Sequence, residues 1–184
     1  MELKACNIYL VTDEKACLEK DFYACIEEAI KGGVKIVQLR EKNISTKDFY
    51  KKALKVKEIC KNYGALFIIN DRLDIAKVVG ADGVHLGQSD MPIEKAREIL
   101  KDKFLIGATA RNVEEAKRAE LLGADYIGSG AIFGTNTKDN AKKLEMEELK
   151  KIVASVKIPV FAIGGINIDN VSILKNIGLQ GICA

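Results

Sequence analysis

The sequence predicts an α/β protein built as a TIM-type (β/α)8 barrel, and three observations carry that reading. At 184 residues the chain has room for one sizeable core and is short for two, so a single domain over 1–184 is expected. A loose repeat recurs as "GGVKIVQLR" from Gly32, "GADGVHLG" from Gly80, "GADYIGSG" from Gly123 and "GLQGICA" from Gly178, each reading glycine, short turn, apolar strand. Helical patterns precede these segments, and a helix that stops at glycine and feeds a strand is the αβ connection of a parallel sheet.

The strands are expected at roughly 8–11, 34–39, 65–69, 83–86, 104–108, 126–130, 160–163 and 181–184, with helices between them. Strand one runs into "VTDEKA", without the glycine-rich dinucleotide loop that a doubly wound open sheet often carries there. In strand two, Ile36, Gln38 and Arg40 share one face and Lys42 continues the same parity into the loop. A buried Gln38 amide without a partner would cost about 1–3 kcal/mol. Arg40 or Lys42 taken singly reads as a rim salt bridge, whereas the three polar groups together point to an anionic ligand. The helix that follows, over 46–61, carries Phe49, Ala53, Val56 and Cys60 as one apolar stripe.

Active sites of such barrels sit at the C-terminal strand ends. Strand three, "LFIINDR", ends in Asn70 and Asp71, and strand four ends in Gly87 followed by Asp90. Two neighbouring carboxylates repel unless a cation joins them, and a hard cation such as Mg²⁺ suits one or two protein oxygens plus water and substrate phosphate. Asp90 by itself also reads as a helix-entry residue, because "DMP" puts Pro92 near the first helical position. His85 is the sole histidine and sits inside "GVHLG", where a core or rim role is expected. With no Cys/His or Ser/His pair, nucleophilic catalysis has little material.

Strand five leads to Thr109, and Asn112 with Glu115 forms a capping-box pattern for the next helix. Strand six opens "GSGAIFGTNTKDN", whose Thr135, Asn136, Thr137 and Lys138 suit a loop that wraps phosphate. Strand seven ends in Gly164 and Gly165 before an expected helix; the pair serves either close backbone approach to a ligand or tight packing. The loops after strands seven and eight are the usual phosphate site of a barrel.

Composition narrows the function classes. The chain is 48% apolar and 30% charged, with 29 Lys+Arg against 26 Asp+Glu and a net charge of +3. Opposite charges interleave, as in "VEEAKRAE", which describes solvated helix faces and not a nucleic-acid footprint. No stretch of about 18 uncharged apolar residues occurs, and the N-terminus meets an Asp too early for a signal peptide, so the expectation is a cytoplasmic protein acting on small molecules. The five cysteines, Cys6, Cys17, Cys25, Cys60 and Cys183, are scattered and suggest buried fillers, with neither disulfides nor a zinc site.

The segments "YLVTD", "VQLREK", "INDRLDIA", "GADGVHLGQSDMP", "GADYIGSGAIFGTNTK" and "IPVFAIGGI", in that order, make the chain resemble the thiamine phosphate synthase family along nearly its whole length. The resemblance implies condensation of 4-amino-5-hydroxymethyl-2-methylpyrimidine diphosphate with 4-methyl-5-(2-phosphoethyl)thiazole, or its carboxylate, giving thiamine phosphate and diphosphate. Carried over by position, Gln38, Leu39, Arg40, Glu41, Lys42, Asn70, Thr109 and Lys138 would hold the pyrimidine diphosphate. Asp71 and Asp90 would hold Mg²⁺. Thr135, Asn136, Thr137 and Gly165 would bind the thiazole phosphate. Arg40, Lys42 and Lys138 would act catalytically, supplying positive charge as diphosphate leaves. The thiazole tautomerase relatives, the alternative enzyme, use a histidine where this chain has Arg111 and lack the paired aspartates.

The chain stops at "GLQGICA", where members of the family continue through a V/I-S segment and an eighth helix, and "GLQG" stands where "GAxG" is usual. The expectation is therefore a barrel truncated after strand eight, with a fragment, self-association covering the gap, or a non-catalytic pyrimidine- or diphosphate-binding barrel as the possible outcomes.

Overall fold

Eight parallel strands close on themselves in chain order, each hydrogen-bonded to the next and the eighth to the first. This is the arrangement of the computed structural model, which describes residues 3–134 and 143–184. The strands are β1 (Ile8–Val11), β2 (Ile36–Leu39), β3 (Leu66–Asn70), β4 (Gly83–Leu86), β5 (Leu105–Thr109), β6 (Tyr126–Gly130), β7 (Val160–Ile163) and β8 (Gly181–Cys183). Every expected strand is present, with bounds shifted by no more than two residues. The ring closes where β1 pairs with β8, with Ile8 opposite Ile182 and Tyr9 opposite Cys183.

Outside the barrel lie α1 (Phe22–Lys31), α2 (Thr46–Tyr63), α3 (Leu73–Val79), α4 (Ile93–Leu100), α5 (Val113–Leu121) and α6 (Met146–Ser155). Their starts follow capping chemistry: the Asp21 carboxylate accepts from the Tyr23 and Ala24 amides, and Ser45 accepts from the Asp48 amide. The apolar stripe of α2 is buried throughout, from Phe49 to Cys60. At α5 the Asn112 side chain accepts from the Glu115 amide at 2.8 Å, while the Glu115 carboxylate reaches back to the Arg111 amide at 2.7 Å, one residue before the cap.

The helix expected after strand seven is corrected to a single 3-10 turn, Val171–Leu174. Asn167 Oδ1 accepts from the Asp169 and Asn170 amides and Asn170 Oδ1 accepts from the Asn167 amide, which caps the start of the turn, and the chain leaves it at Lys175, whose backbone is extended.

Strand parity sorts two cores. Val37, Leu39, Phe67, Ile69, Val84, Leu86 and Ile106 face outward and pack among the helices α1 to α4. Tyr9, Ile36, Ile68, Tyr126, Phe161 and Cys183 fill the lumen. The second parity, extended to the strand ends, brings Gln38, Asn70, His85 and Thr109 to the top of the barrel. None of the cysteines is in a disulfide; Cys6, Cys60 and Cys183 are buried as expected, but Cys17 and Cys25 are half-exposed and line the cavity described below.

Candidate active site

A cavity of about 580 Å³ opens at the C-terminal end of the barrel, lined by Gln38, Arg40, Asn70, His85, Thr109 and Gly165 among others. Each reaches it for a local reason. Gln38 lies on the inner face of β2 and is only 4% exposed, yet its amide is paired: Nε2 donates to Tyr9 Oη at 2.7 Å. The Arg40 amide donates to Thr12 Oγ1 at 3.1 Å, which ties the β2 end to the segment after β1. Asn70 closes β3 at 7% exposure, and its Nδ2 is a buried donor with no hydrogen-bond partner among the described residues. A buried unmet donor costs about 1–3 kcal/mol, so a ligand oxygen is the fitting complement.

Beside this cavity the loops after β2, β3 and β4 assemble a charged cluster. Lys42 Nζ donates to Asp71 Oδ2 at 2.6 Å, and the Gly87 amide donates to Asp90 Oδ2 at 2.7 Å. The Asp71 and Asp90 carboxyl groups lie within hydrogen-bonding reach of one another. Asp71 takes a left-handed backbone, φ 60°, a conformation uncommon for residues other than glycine and recurrent at functional sites. Burial pushes the Asp71 carboxyl up, but the bonds to Lys42 and Asp90 outweigh it and hold that group below the usual carboxylate range. Burial and the Asp71 charge push Asp90 up, against the pull of the Gly87 amide. Asp90 therefore closes its own loop and does not cap α4, whose start at Pro92 has no side-chain cap.

The donor chemistry fits Mg²⁺. Two hard oxygens stand together with repulsion only partly relieved by Lys42, and among the described residues no group of three or more His, Cys, Asp or Glu forms a cage. An ion that keeps waters and takes substrate phosphate suits such a half-built site.

Two residues carried over by resemblance direct their side chains away from the cavity. Leu39 is fully buried on the outer face of β2, among the helices. Glu41 is drawn away from the cavity into an ion pair with Lys52 of α2, which also binds Glu14 at 2.8 Å and stands 3.9 Å over the Phe22 ring. Lys52 thus braces the loops after β1 and β2, a role that nothing in the sequence distinguishes from those of the other lysines of α2. Thr135, Asn136, Thr137 and Lys138 lie outside the described residues.

On the far wall the paired glycines show the tight packing expected as one of their two readings. Gly164 and Gly165 hold φ 102° and 66°, and a side chain at either would collide with the main chain of Ala131 or of Phe133 and Gly134. Packing therefore requires glycine, and Gly165 also lines the cavity.

The sequence model of the Thiamine monophosphate synthase family matches residues 8–184. A thiamine-phosphate synthase of Fusobacterium nucleatum subsp. nucleatum is 86% identical over 184 residues, covering 100% of this chain and 89% of that protein. One from Clostridium acetobutylicum is 56% identical over 176 residues, 96% of this chain and 83% of its own length. Among solved structures, the thiamine phosphate pyrophosphorylase from Pyrococcus furiosus superposes with a TM-score of 0.89 at 42% identity, covering 99% of this chain and 86% of that one. Barrel, strand-end chemistry and these likenesses agree: the chain belongs to the thiamine monophosphate synthase family.

Proposed function

We propose that the protein joins 4-amino-5-hydroxymethyl-2-methylpyrimidine diphosphate to 4-methyl-5-(2-phosphoethyl)thiazole or its carboxylate, releasing diphosphate and forming thiamine phosphate. The observation that carries this reading is the convergence of the unpartnered Asn70 donor, Arg40 and the Lys42–Asp71–Asp90 cluster on one barrel mouth. A site of this kind holds a polyanion and neutralises charge, and the reading gives no nucleophilic role to Cys17 or Cys25 on its wall.

Gln38 and Thr109 hold the pyrimidine, and Asn70, Arg40, Lys42 and Lys138 hold its diphosphate. Thr135, Asn136, Thr137 and Gly165 take the thiazole phosphate. Asp71 and Asp90 hold Mg²⁺, which when bound adds positive charge beside the departing diphosphate. Arg40 and Lys42 orient the leaving group, while the apolar lumen below keeps the two rings apart from bulk water. Neither a tautomerase nor a binding-only barrel is favoured: the relatives named above are synthases, and Arg111 stands where a tautomerase carries histidine.

The partly exposed outer faces of β1 and β8, where Ile8 is 39% exposed, suit contact with a second copy, and solution mass tests this. The free thiols suit the cytoplasm, and among the described residues no helix is long and apolar enough to cross a membrane. The deciding experiment is product formation from the two phosphates with and without Mg²⁺; metal-dependent thiamine phosphate is expected, and its absence under both conditions overturns the reading.

A further inference from the structure

One ammonium joins three segments of the chain just outside the barrel mouth. Lys52 Nζ, on α2, lies 2.8 Å from Glu14 Oε2 on the loop after β1 and is in ion-pair contact with Glu41 on the loop after β2. It also stands 3.9 Å over the ring of Phe22, the first residue of α1. The Lys52 and Glu41 side chains are only 12% and 11% exposed, so this pair is enclosed, unlike the surface ion pairs that contribute little. Glu41 Oε1 finds no hydrogen-bond donor of good geometry among the described residues, which leaves the Lys52 charge to neutralise it. Burial pulls the Lys52 ammonium down, but the Glu14 and Glu41 carboxylates outweigh it and hold the group above the usual lysine range, so it stays charged. Lys52 itself is not among the residues that line the cavity.

What the pair holds is the stretch between two cations of the site. Glu41 stands between Arg40 and Lys42, and the alternation of β2 carried onward sends Glu41 to one side and its two neighbours to the other. Glu41 turned out to α2 therefore goes with Arg40 in the cavity and Lys42 at Asp71, which is where both are found, Lys42 Nζ lying 2.6 Å from Asp71 Oδ2. The main chain before Glu41 is held as well: the Arg40 amide donates to Thr12 Oγ1 at 3.1 Å, and the Thr12 amide donates to the Gln38 carbonyl at 2.9 Å. Thr12 thus secures the inner end of the segment and Lys52 the outer end. Without the Lys52 charge, Glu41 is an enclosed carboxylate with no counter-ion, an unfavourable state. The cations adjacent to it in the chain are Arg40 and Lys42, so that carboxylate competes for the groups that meet a polyanion.

We propose that Lys52 is a positioning residue for the reaction: acting through Glu41, it keeps Arg40 and Lys42 turned to the barrel mouth, so that the grip on the pyrimidine diphosphate is set by a group outside the cavity. The same ammonium holds Glu14 and Phe22, and the segment between them contributes Ala16 and Cys17 to the cavity wall. One lysine of α2 therefore fixes two neighbouring walls relative to each other.

This inference rests on the synthase reading for its ligand, and inorganic diphosphate with Mg²⁺, titrated by calorimetry, reads the same grip without turnover. Lys52→Met should raise KM for the pyrimidine diphosphate about tenfold and weaken diphosphate binding by a similar factor, leaving KM for the thiazole phosphate unchanged. Lys52→Arg keeps the charge and should recover most of the loss. Glu41→Gln should raise the first KM only about threefold, and the double variant should match Glu41→Gln and not Lys52→Met, because no carboxylate is left to compete for Arg40 and Lys42. Lys55→Met removes an exposed cation from the same helix and should leave both KM values unchanged, which separates the latch from a general loss of positive charge. KM values that rise together, an unchanged diphosphate affinity in Lys52→Met, an equal loss in Lys55→Met, or a double variant as impaired as Lys52→Met overturns the proposal. If Lys52→Met fails to fold by circular dichroism, Glu41→Gln decides, and a wild-type KM in that variant overturns it. A wild type that binds diphosphate but makes no thiamine phosphate sinks the synthase reading, and the diphosphate affinities alone then decide the role of Lys52; one that binds no diphosphate overturns both.

Discussion

Two pairs of aspartates occupy opposite ends of the barrel and meet opposite fates. At the N-terminal end, Asp82 accepts from the Phe67 amide at 2.7 Å, and Asp125 accepts from the Ile106 amide at 2.7 Å and from Arg97 at 2.6 Å. Arg97 also donates to the carbonyls of Gly123, Lys101 and Phe104, so this end is stapled by saturated hydrogen bonds. At the C-terminal end, Asp71 and Asp90 face each other, with Lys42 and one backbone amide as relief. The same side chain stabilises where its partners are main-chain donors and is held ready for a ligand where its neighbour is another carboxylate. Polar satisfaction, and not residue type, separates scaffold from site.

The comparison can be broken from either side. The largest effect is expected for Asp90→Asn, which should lower kcat/KM by about 10²–10³-fold with an unfolding midpoint near that of the wild type. A variant that unfolds easily but retains its turnover would place Asp90 with the scaffold. Asp125→Ala should do the reverse, costing about 2–3 kcal/mol in denaturant unfolding because it strands Arg97 and the Ile106 amide, with turnover per folded molecule unchanged. Asp82→Asn leaves the carbonyl acceptor in place and should cost about 1 kcal/mol by the same measurement.

pH sharpens the contrast further. Burial and then the Asp82 charge push the Cys60 thiol up to about 12. The folded state therefore keeps a proton that the unfolded chain releases near its ordinary value of about 8.5, so this contribution is complete below that value and is lost as pH rises towards 12. Unfolding free energy should fall by up to about 1.4 kcal/mol per pH unit in that window, and the difference between wild type and Cys60→Ala, measured from pH 8 to 10, isolates it. Asp82→Asn should narrow the window.

Much of this architecture was legible because barrels write their rules into parity and punctuation. The glycine-led repeat located β2, β4, β6 and β8, and the strand ends delivered Gln38, Arg40, Asn70 and Thr109 to one cavity. What stayed hidden was partnership. Glu41 sits in the same run as Arg40 and Lys42, and only the position of Lys52, a helix away, turns it aside. Nothing local in the sequence says that two phenols 117 positions apart, Tyr9 and Tyr126, share a hydrogen bond. The "NIDN" segment caps the start of a helical turn, but nothing local in the sequence announces that the turn stops at Leu174.

The seam between β1 and β8 has a consequence for how the molecule comes into being. Ile8 lies opposite Ile182, and the Val11 amide donates to the Ala184 carbonyl, so the first strand waits for the last across almost the whole chain. During synthesis the growing polypeptide can build hairpin-sized β/α units one after another, but β1 keeps an open edge until the final strand leaves the ribosome. Ring closure of such high contact order is slow, and an unclosed intermediate exposes both an unpaired edge and the aromatic lumen. The cell's risk of misassembly therefore persists until β8 is made and the ring can close.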